Sequence, residues 1–146
     1  MSLSNVSETA LLALVFNNTS WANVGDATGL VGSTAAGSFF IALHTADPGE
    51  AGNQSTSEAN YTGYARVAVP RTTLGWTVAG NQVSNAALVQ FGLCTAGSSL
   101  VTHFSIGTAS TGTGSILLKG ALTASLNVAA GIQPQYAPGQ LAPTVD

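Results

Sequence analysis

The stretch Ser38-Phe39-Phe40-Ile41-Ala42-Leu43-His44-Thr45, closed by Ala46-Asp47-Pro48-Gly49, decides how this chain is read. Five consecutive apolar residues, two of them aromatic, are too few for a capped helix and match a strand buried on both faces. Asp47-Pro48-Gly49 then forces a turn, because Pro presets φ and Gly accepts positive φ. Outward from this point the same grammar repeats. Tyr64-Ala65-Arg66-Val67-Ala68-Val69 alternates and stops at Pro70, as an edge strand does. Trp76-Thr77-Val78 and Gln82-Val83-Ser84 flank Ala79-Gly80-Asn81, which predicts a β-hairpin. Further strands are predicted at Ala87-Leu88-Val89-Gln90-Phe91, Leu100-Val101-Thr102-His103-Phe104-Ser105-Ile106, Ser115-Ile116-Leu117-Leu118-Lys119, Ser125-Leu126-Asn127-Val128 and Ile132-Gln133-Pro134-Gln135-Tyr136. About eight strands with regularly spaced turn signals predict an all-β chain, an antiparallel, jelly-roll-like β-sandwich rather than βαβ units.

The ends read differently. Asn5-Val6-Ser7-Glu8 has capping-box spacing, with an Asx side chain to accept a free N–H and Glu three residues on. Leu11, Leu12, Val15 and Phe16 give one apolar helical face, and Asn17-Asn18-Thr19-Ser20 ends it. A short N-terminal helix is therefore predicted. Residues 21–37 carry Gly25, Gly29, Gly32 and Gly37 without periodicity and read as an irregular connection. Residues 50–62 are polar and read as a long exposed loop. Residues 137–146, with Pro138, Gly139 and Pro143, read as an extended tail that contributes little to the core. The expected organisation is one domain: an N-terminal helix and arm over 1–37, a β-sandwich core over 38–136, and the tail over 137–146.

The chain has 146 residues, 45% of them hydrophobic but only 6% charged, with three basic and six acidic side chains and a net charge of −3. Globular proteins average about 25% charged residues, so Ser, Thr, Asn, Gln and Gly must cover this surface. Little electrostatic repulsion keeps such copies apart, which suits a protein packed against neighbours. Arg66, Arg71 and Lys119 are too few to neutralise phosphates, and nucleic-acid binding is not expected. No apolar run reaches the roughly 20 residues of a membrane span, and Met1 to Asn5 carry no Lys or Arg of an export signal. No membrane partner is expected.

Chemistry is hard to find. A nucleophilic triad needs a base oriented by a third group, yet His44 and His103 both sit inside predicted strands with apolar neighbours, as packed histidines do. Cys94 lies in an apolar stretch, where a buried, inert thiol is expected. Glu8, Asp26, Asp47, Glu50, Glu58 and Asp146 are scattered, without metal-ligand spacing or a glycosidase pair. Residues 107–114 are Gly-rich but lack the Lys-Ser/Thr ending of a phosphate loop. Arg66 is expected to pair with Glu58 or Asp47. Trp21, Trp76, Tyr61 and Tyr64 offer surface for a sugar, against which stands ordinary core packing. No catalytic, cofactor-binding or metal residue is assigned, and no enzyme activity is expected.

Seven blocks stand out in order: Ser4-Asn5 with Glu8, residues 42–52 from Ala42-Leu43-His44-Thr45 through Asp47-Pro48-Gly49-Glu50, Tyr61-Thr62-Gly63-Tyr64-Ala65-Arg66-Val67, Gly80-Asn81 with Ser84-Asn85-Ala86-Ala87, Val101-Thr102-His103-Phe104 with Ile106-Gly107-Thr108-Ala109, Gly120-Ala121-Leu122-Thr123, and Ala137-Pro138-Gly139-Gln140-Leu141. Taken together they resemble a family of small virion structural proteins of tailed bacteriophages, known as phage tail fibre proteins. The resemblance covers nearly the whole chain and brings no active-site residues. It implies a structural protein made in the bacterial host cytoplasm and located in the virion. It is also similar to capsid cement or decoration proteins, which implies a trimer on the outer capsid surface that binds the major capsid protein and ties capsomers together. The alternative is a tail-associated fibre or a receptor- or carbohydrate-binding module.

Overall fold

The computed structural model describes residues 3–145; Met1, Ser2 and Asp146, the last among the carboxylates considered above, lie outside them. One helix, α1 (Asn5–Asn17), precedes eight strands: β1 (Ser38–His44), β2 (Val67–Pro70), β3 (Trp76–Ala79), β4 (Gln82–Asn85), β5 (Val89–Gln90), β6 (Ser98–Gly107), β7 (Ile116–Ala129) and β8 (Gln135–Tyr136). The chain is all-β with a short N-terminal helix, and its antiparallel sheets are consistent with the sandwich class. Among the described residues no helix is long and apolar enough to cross a membrane. Two compact units form, one from Met1–Ser38, Pro70–Ala87 and Ala137–Asp146, the other from Phe39–Val69 and Leu88–Tyr136.

The second unit contains a four-stranded sheet of order β2-β1-β6-β7. β1 pairs antiparallel with β6, placing Ile41 opposite Ile106, Leu43 opposite Phe104 and His44 opposite His103. Ile41, Ala42, Leu43 and His44 are all fully buried, so both faces of β1 are covered, as its unbroken apolar run predicts. β6 pairs with β7, Val101 opposite Leu126 and His103 opposite Ala121, so residues 122–125 bulge out opposite Thr102. The two strands expected at 115–119 and 125–128 are therefore one, because a bulge absorbs the small and polar residues that read as a break. β5 and β8 form a short ribbon with Val89 opposite Tyr136, prolonged where Phe91 N–H donates to Pro134 O and Cys94 N–H to Ile132 O.

Residues 50–62 depart from the expected exposed loop. Thr45 N–H donates to Ser57 O and Ala59 N–H to Leu43 O, so this segment runs beside the end of β1, with Gln54, Ala59 and Tyr61 buried. Gln54 explains much of this. Its Nε2 donates to Phe40 O at 3.0 Å and its Oε1 accepts from Ala109 N–H at 3.0 Å. Gly107 and Gly114 flank it so closely that a Cβ would lie 2.2 Å from Gln54 Cδ and 2.3 Å from its Oε1 respectively. Composition registers a polar residue, not a polar residue with both ends satisfied. Likewise β2 begins at Val67, so Tyr64 and Arg66 precede the strand that alternation extended over them.

In the first unit α1 lies on the β3–β4 hairpin. Ser4, not Asn5, caps the helix: its Oγ accepts from Ser7 N–H at 3.3 Å while Asn5 is already helical. Asn18 takes φ 55 and ends it. Leu12 and Phe16 are buried, and the Phe16 ring meets that of the fully buried Trp76 edge to face at 5.2 Å. β3 and β4 turn on Gly80-Asn81, with Gly80 at φ 60, a value that favours Gly. Residues 137–145 return along β4. Val83 N–H donates to Pro143 O, Asn85 N–H to Leu141 O and Val145 N–H to Asn81 O, and Leu141 is fully buried. Leu141 and Pro143 are buried while residues 137–140 stay exposed, so the tail adds more to the core than its expected small contribution.

Candidate functional site

Arg66 organises the polar centre of the second unit. Its side chain is only 2% exposed, and its Nε and Nη2 donate to the two oxygens of Glu58 at 2.7 and 2.8 Å in a bidentate pair. Nη1 donates to Ala109 O at 2.9 Å and Nη2 to Gly112 O at 2.6 Å, which fastens residues 108–115. Ser55 Oγ donates to the same Gly112 carbonyl at 2.7 Å. Tyr64 Oη donates to Glu58 Oε1 at 2.9 Å and accepts from Leu43 N–H at 3.1 Å, which ties the pair to β1. The Glu58 carboxylate holds the Arg66 guanidinium above its ordinary pKa, while burial pushes Tyr64 well above the phenol range and Tyr61 up to about 12. All three remain in their ordinary charge states near neutrality.

A cleft of about 380 Å³ opens beside this network, lined by residues 58–61, 64–66 and 110–112. Its wall includes Tyr61 and Tyr64, whose rings meet edge to face at 5.4 Å; Tyr64 in turn stacks on Phe91 at 6.1 Å. Glu58 is the one carboxylate in the lining, so acid–base chemistry that needs a pair of carboxylates has no second member here.

The other candidates are dispersed. His44 is fully buried: Nδ1 donates to Thr56 O at 2.8 Å and Nε2 accepts from Ser105 Oγ at 2.7 Å, an assignment dictated by the carbonyl. Burial lowers its pKa, opposed by the Thr56 carbonyl. His103 is half-buried beside Thr102 Oγ1 at 2.8 Å. The Cys94 thiol is buried against the carbonyls of Ala96 and Gly97. Asp47 pairs not with Arg66 but with Lys119 at 3.0 Å, and Glu50 meets the same ammonium at 3.2 Å. Gly49 N–H and Lys119 together lower the Asp47 pKa. Arg71, in the first unit, donates to the carbonyls of Leu14 and Val15 at the end of α1 and to Asn18 Oδ1, where a cation complements the helix dipole. Asp26 accepts from Thr28 and Gly29 in a surface turn, and those bonds lower its pKa. Trp76 is core, not a platform. Among the described residues no three His, Cys, Asp or Glu side chains come together to hold a metal.

Sequence reasoning gave Glu58 or Asp47 as the partner of Arg66 and did not foresee that the Arg66–Glu58 pair fastens residues 108–115. Residues 108–115 show only Gly, Ala, Ser and Thr, and the backbone carbonyls of Ala109 and Gly112, which do the accepting, leave no trace in residue type.

The fold and the cleft together define a small β-rich protein whose buried charge serves its own loop architecture. The chain belongs to the family of the podophage GP4 fiber I protein gp80, whose sequence model matches residues 2–144. It is a phage structural protein and its location is the virion, as the resemblance of its strand and turn blocks implies. No curated protein matches the chain.

Proposed function

We propose that the chain is a non-enzymatic structural subunit of the virion fibre. The observation that carries this reading is the match to a fibre-protein family over residues 2–144. The use of Arg66, Glu58 and Tyr64 on one another and on loop carbonyls supports it, since these groups brace a scaffold and leave no acid–base pair in the cleft. Separating disrupted particles into heads and tails, with quantification of the chain in each, tests the placement. Recovery with the tail and fibre fraction is expected. Recovery on tailless heads, at a copy number comparable to the major capsid protein, overturns it. Hydrolysis of peptidoglycan or polysaccharide that co-purifies with the chain would overturn the non-enzymatic part.

Capsid cement is the second reading, with a trimer on the outer capsid surface bound to the major capsid protein. The 6% charged composition favours it, because a nearly uncharged surface suits permanent packing against a shell. The two chain ends, which could have served as arms toward neighbouring subunits, do not add to that case: α1 and residues 137–145 both pack on the β3–β4 hairpin of their own unit.

A further inference from the structure

His44 fastens a polar segment to the sheet. Residues 53–59 lie along the end of β1, with Glu58 bridged to His44, Thr45 N–H donating to Ser57 O and Ala59 N–H to Leu43 O. The fully buried His44 ring adds a side-chain clasp: Nδ1 donates to Thr56 O at 2.8 Å, and Nε2 accepts from Ser105 Oγ of β6 at 2.7 Å. The segment in turn holds residues 108–115, through Gln54 Oε1 on Ala109 N–H, Ser55 Oγ on Gly112 O, and Glu58 on the Arg66 that donates to the Ala109 and Gly112 carbonyls. Within residues 53–59 only Gln54 and Ala59 are buried, so little apolar surface resists opening.

The clasp fits only the neutral ring. Neutral imidazole has one donor and one acceptor, and its site supplies one acceptor, Thr56 O, and one donor, the Ser105 hydroxyl. A second ring proton would face that hydroxyl, and Ser105 Oγ has no other hydrogen-bond partner among the described residues to take its own proton. The charged neighbours do not compensate. Glu58 favours a cation at His44, but both its oxygens already accept from Arg66, and one of them also from Tyr64. Arg66, and His103 opposite His44 in the β1–β6 register, both oppose a second positive charge. Asp47 and Glu50 are engaged by Lys119. Burial further weakens proton uptake in the closed state, whereas a ring uncovered by opening meets water and takes the proton at its ordinary value. We propose that residues 53–59 and 108–115 form an acid-released latch keyed by His44, which leaves the sheet as one piece while the β1–β6 ladder stays paired. The latch belongs to the second unit and holds wherever the chain sits in the particle.

The test is hydrogen exchange of the full chain, read amide by amide and corrected for the intrinsic rate at each pH. The amides of Gln54, Ala59 and Ala109, bonded to Gly114 O, Leu43 O and Gln54 Oε1, should share one opening free energy, smaller than that of the β1–β6 ladder. That opening should become about tenfold more frequent between about pH 7 and about pH 5. The chain has two histidines, so two variants assign the response. His44→Gln should abolish it and His103→Gln should keep it. If His44→Gln fails to fold, the native chain supplies the answer by linkage: the rise in opening must level off at the pH where the His44 ring itself titrates by NMR. Four results overturn the proposal: opening that ignores pH, exchange of residues 53–59 only at the free energy of the ladder, opening of one segment without the other, or an acid response that survives His44→Gln or vanishes in His103→Gln. Levelling at a pH other than that of the ring overturns it as well.

Discussion

At the level of single residues, the second unit depends on one buried cation. Arg66→Ala leaves the Glu58 carboxylate with Tyr64 alone and removes the donors from Ala109 and Gly112. Breaking one side of such a pair costs about 3 kcal/mol, and urea unfolding should show it. Hydrogen exchange at residues 108–115 should rise in the same variant. Replacing both partners, Arg66→Met with Glu58→Leu, should recover part of the stability but leave the loop exchanging fast; equal protection in the double variant would show that the loop does not need the guanidinium. His44 makes a pH prediction. Burial lowers its folded-state pKa below the ordinary 6.5, so the unfolded chain takes up the proton more readily. Its contribution is full above 6.5 and is lost as pH falls from there toward the folded value. The His44 ring should titrate below pH 6.5 in an NMR titration, with the urea midpoint falling as pH drops from there. A ring that titrates at 6.5 or higher contradicts this assignment.

Among the elements, the C-terminal segment yields the sharpest prediction. Leu141 is fully buried and its N–H donates to Asn85 Oδ1 at 3.0 Å, while Asn85 Nδ2 donates to Ala137 O at 2.9 Å. Leu141→Ala should cost about 3 kcal/mol by the usual penalty for emptying a core site. Deleting residues 137–146 should expose Trp76 fluorescence to solvent, since the hairpin then loses the strand-like neighbour of β4; a truncated chain with native emission would refute the packing role. This element also marks where sequence legibility stops. β1 was readable because five apolar residues in a row have one structural meaning, and the β3–β4 hairpin because Gly80-Asn81 sits between two alternating runs. The tail was not, since its partners are backbone groups of β4 and the side chain of Asn85, a residue that looks like turn material. The cleft was half legible: Arg66, Glu58 and Tyr64 stood out by type, whereas Gln54 and the carbonyls of residues 108–115 act through geometry that appears only once β1 and β6 are paired.

For the whole molecule, the scarcity of charge governs how it should respond to salt. Arg66 is sealed on Glu58, and Arg71 serves helix carbonyls, so the partly exposed Lys119 with Asp47 and Glu50 is the ionic cluster that solvent ions reach most readily. Exposed pairs contribute about 0–1 kcal/mol, and a Debye length of about 3 Å at 1 M salt screens them. Folding stability should therefore change by less than about 1 kcal/mol between low salt and 1 M NaCl. The same argument extends to the particle. With three basic and six acidic residues in all, the chain has little with which to hold a neighbour by charge, whereas Val6, Val31 and Leu74 are more than two-thirds exposed. Attachment should rest on apolar contact and neutral hydrogen bonds, which salt leaves intact and urea weakens. Virions washed in 1 M NaCl should retain the chain in full, and graded urea should release it. Loss in salt alone would mean that a basic partner surface holds it through the carboxylates, and the apolar account of attachment would fail.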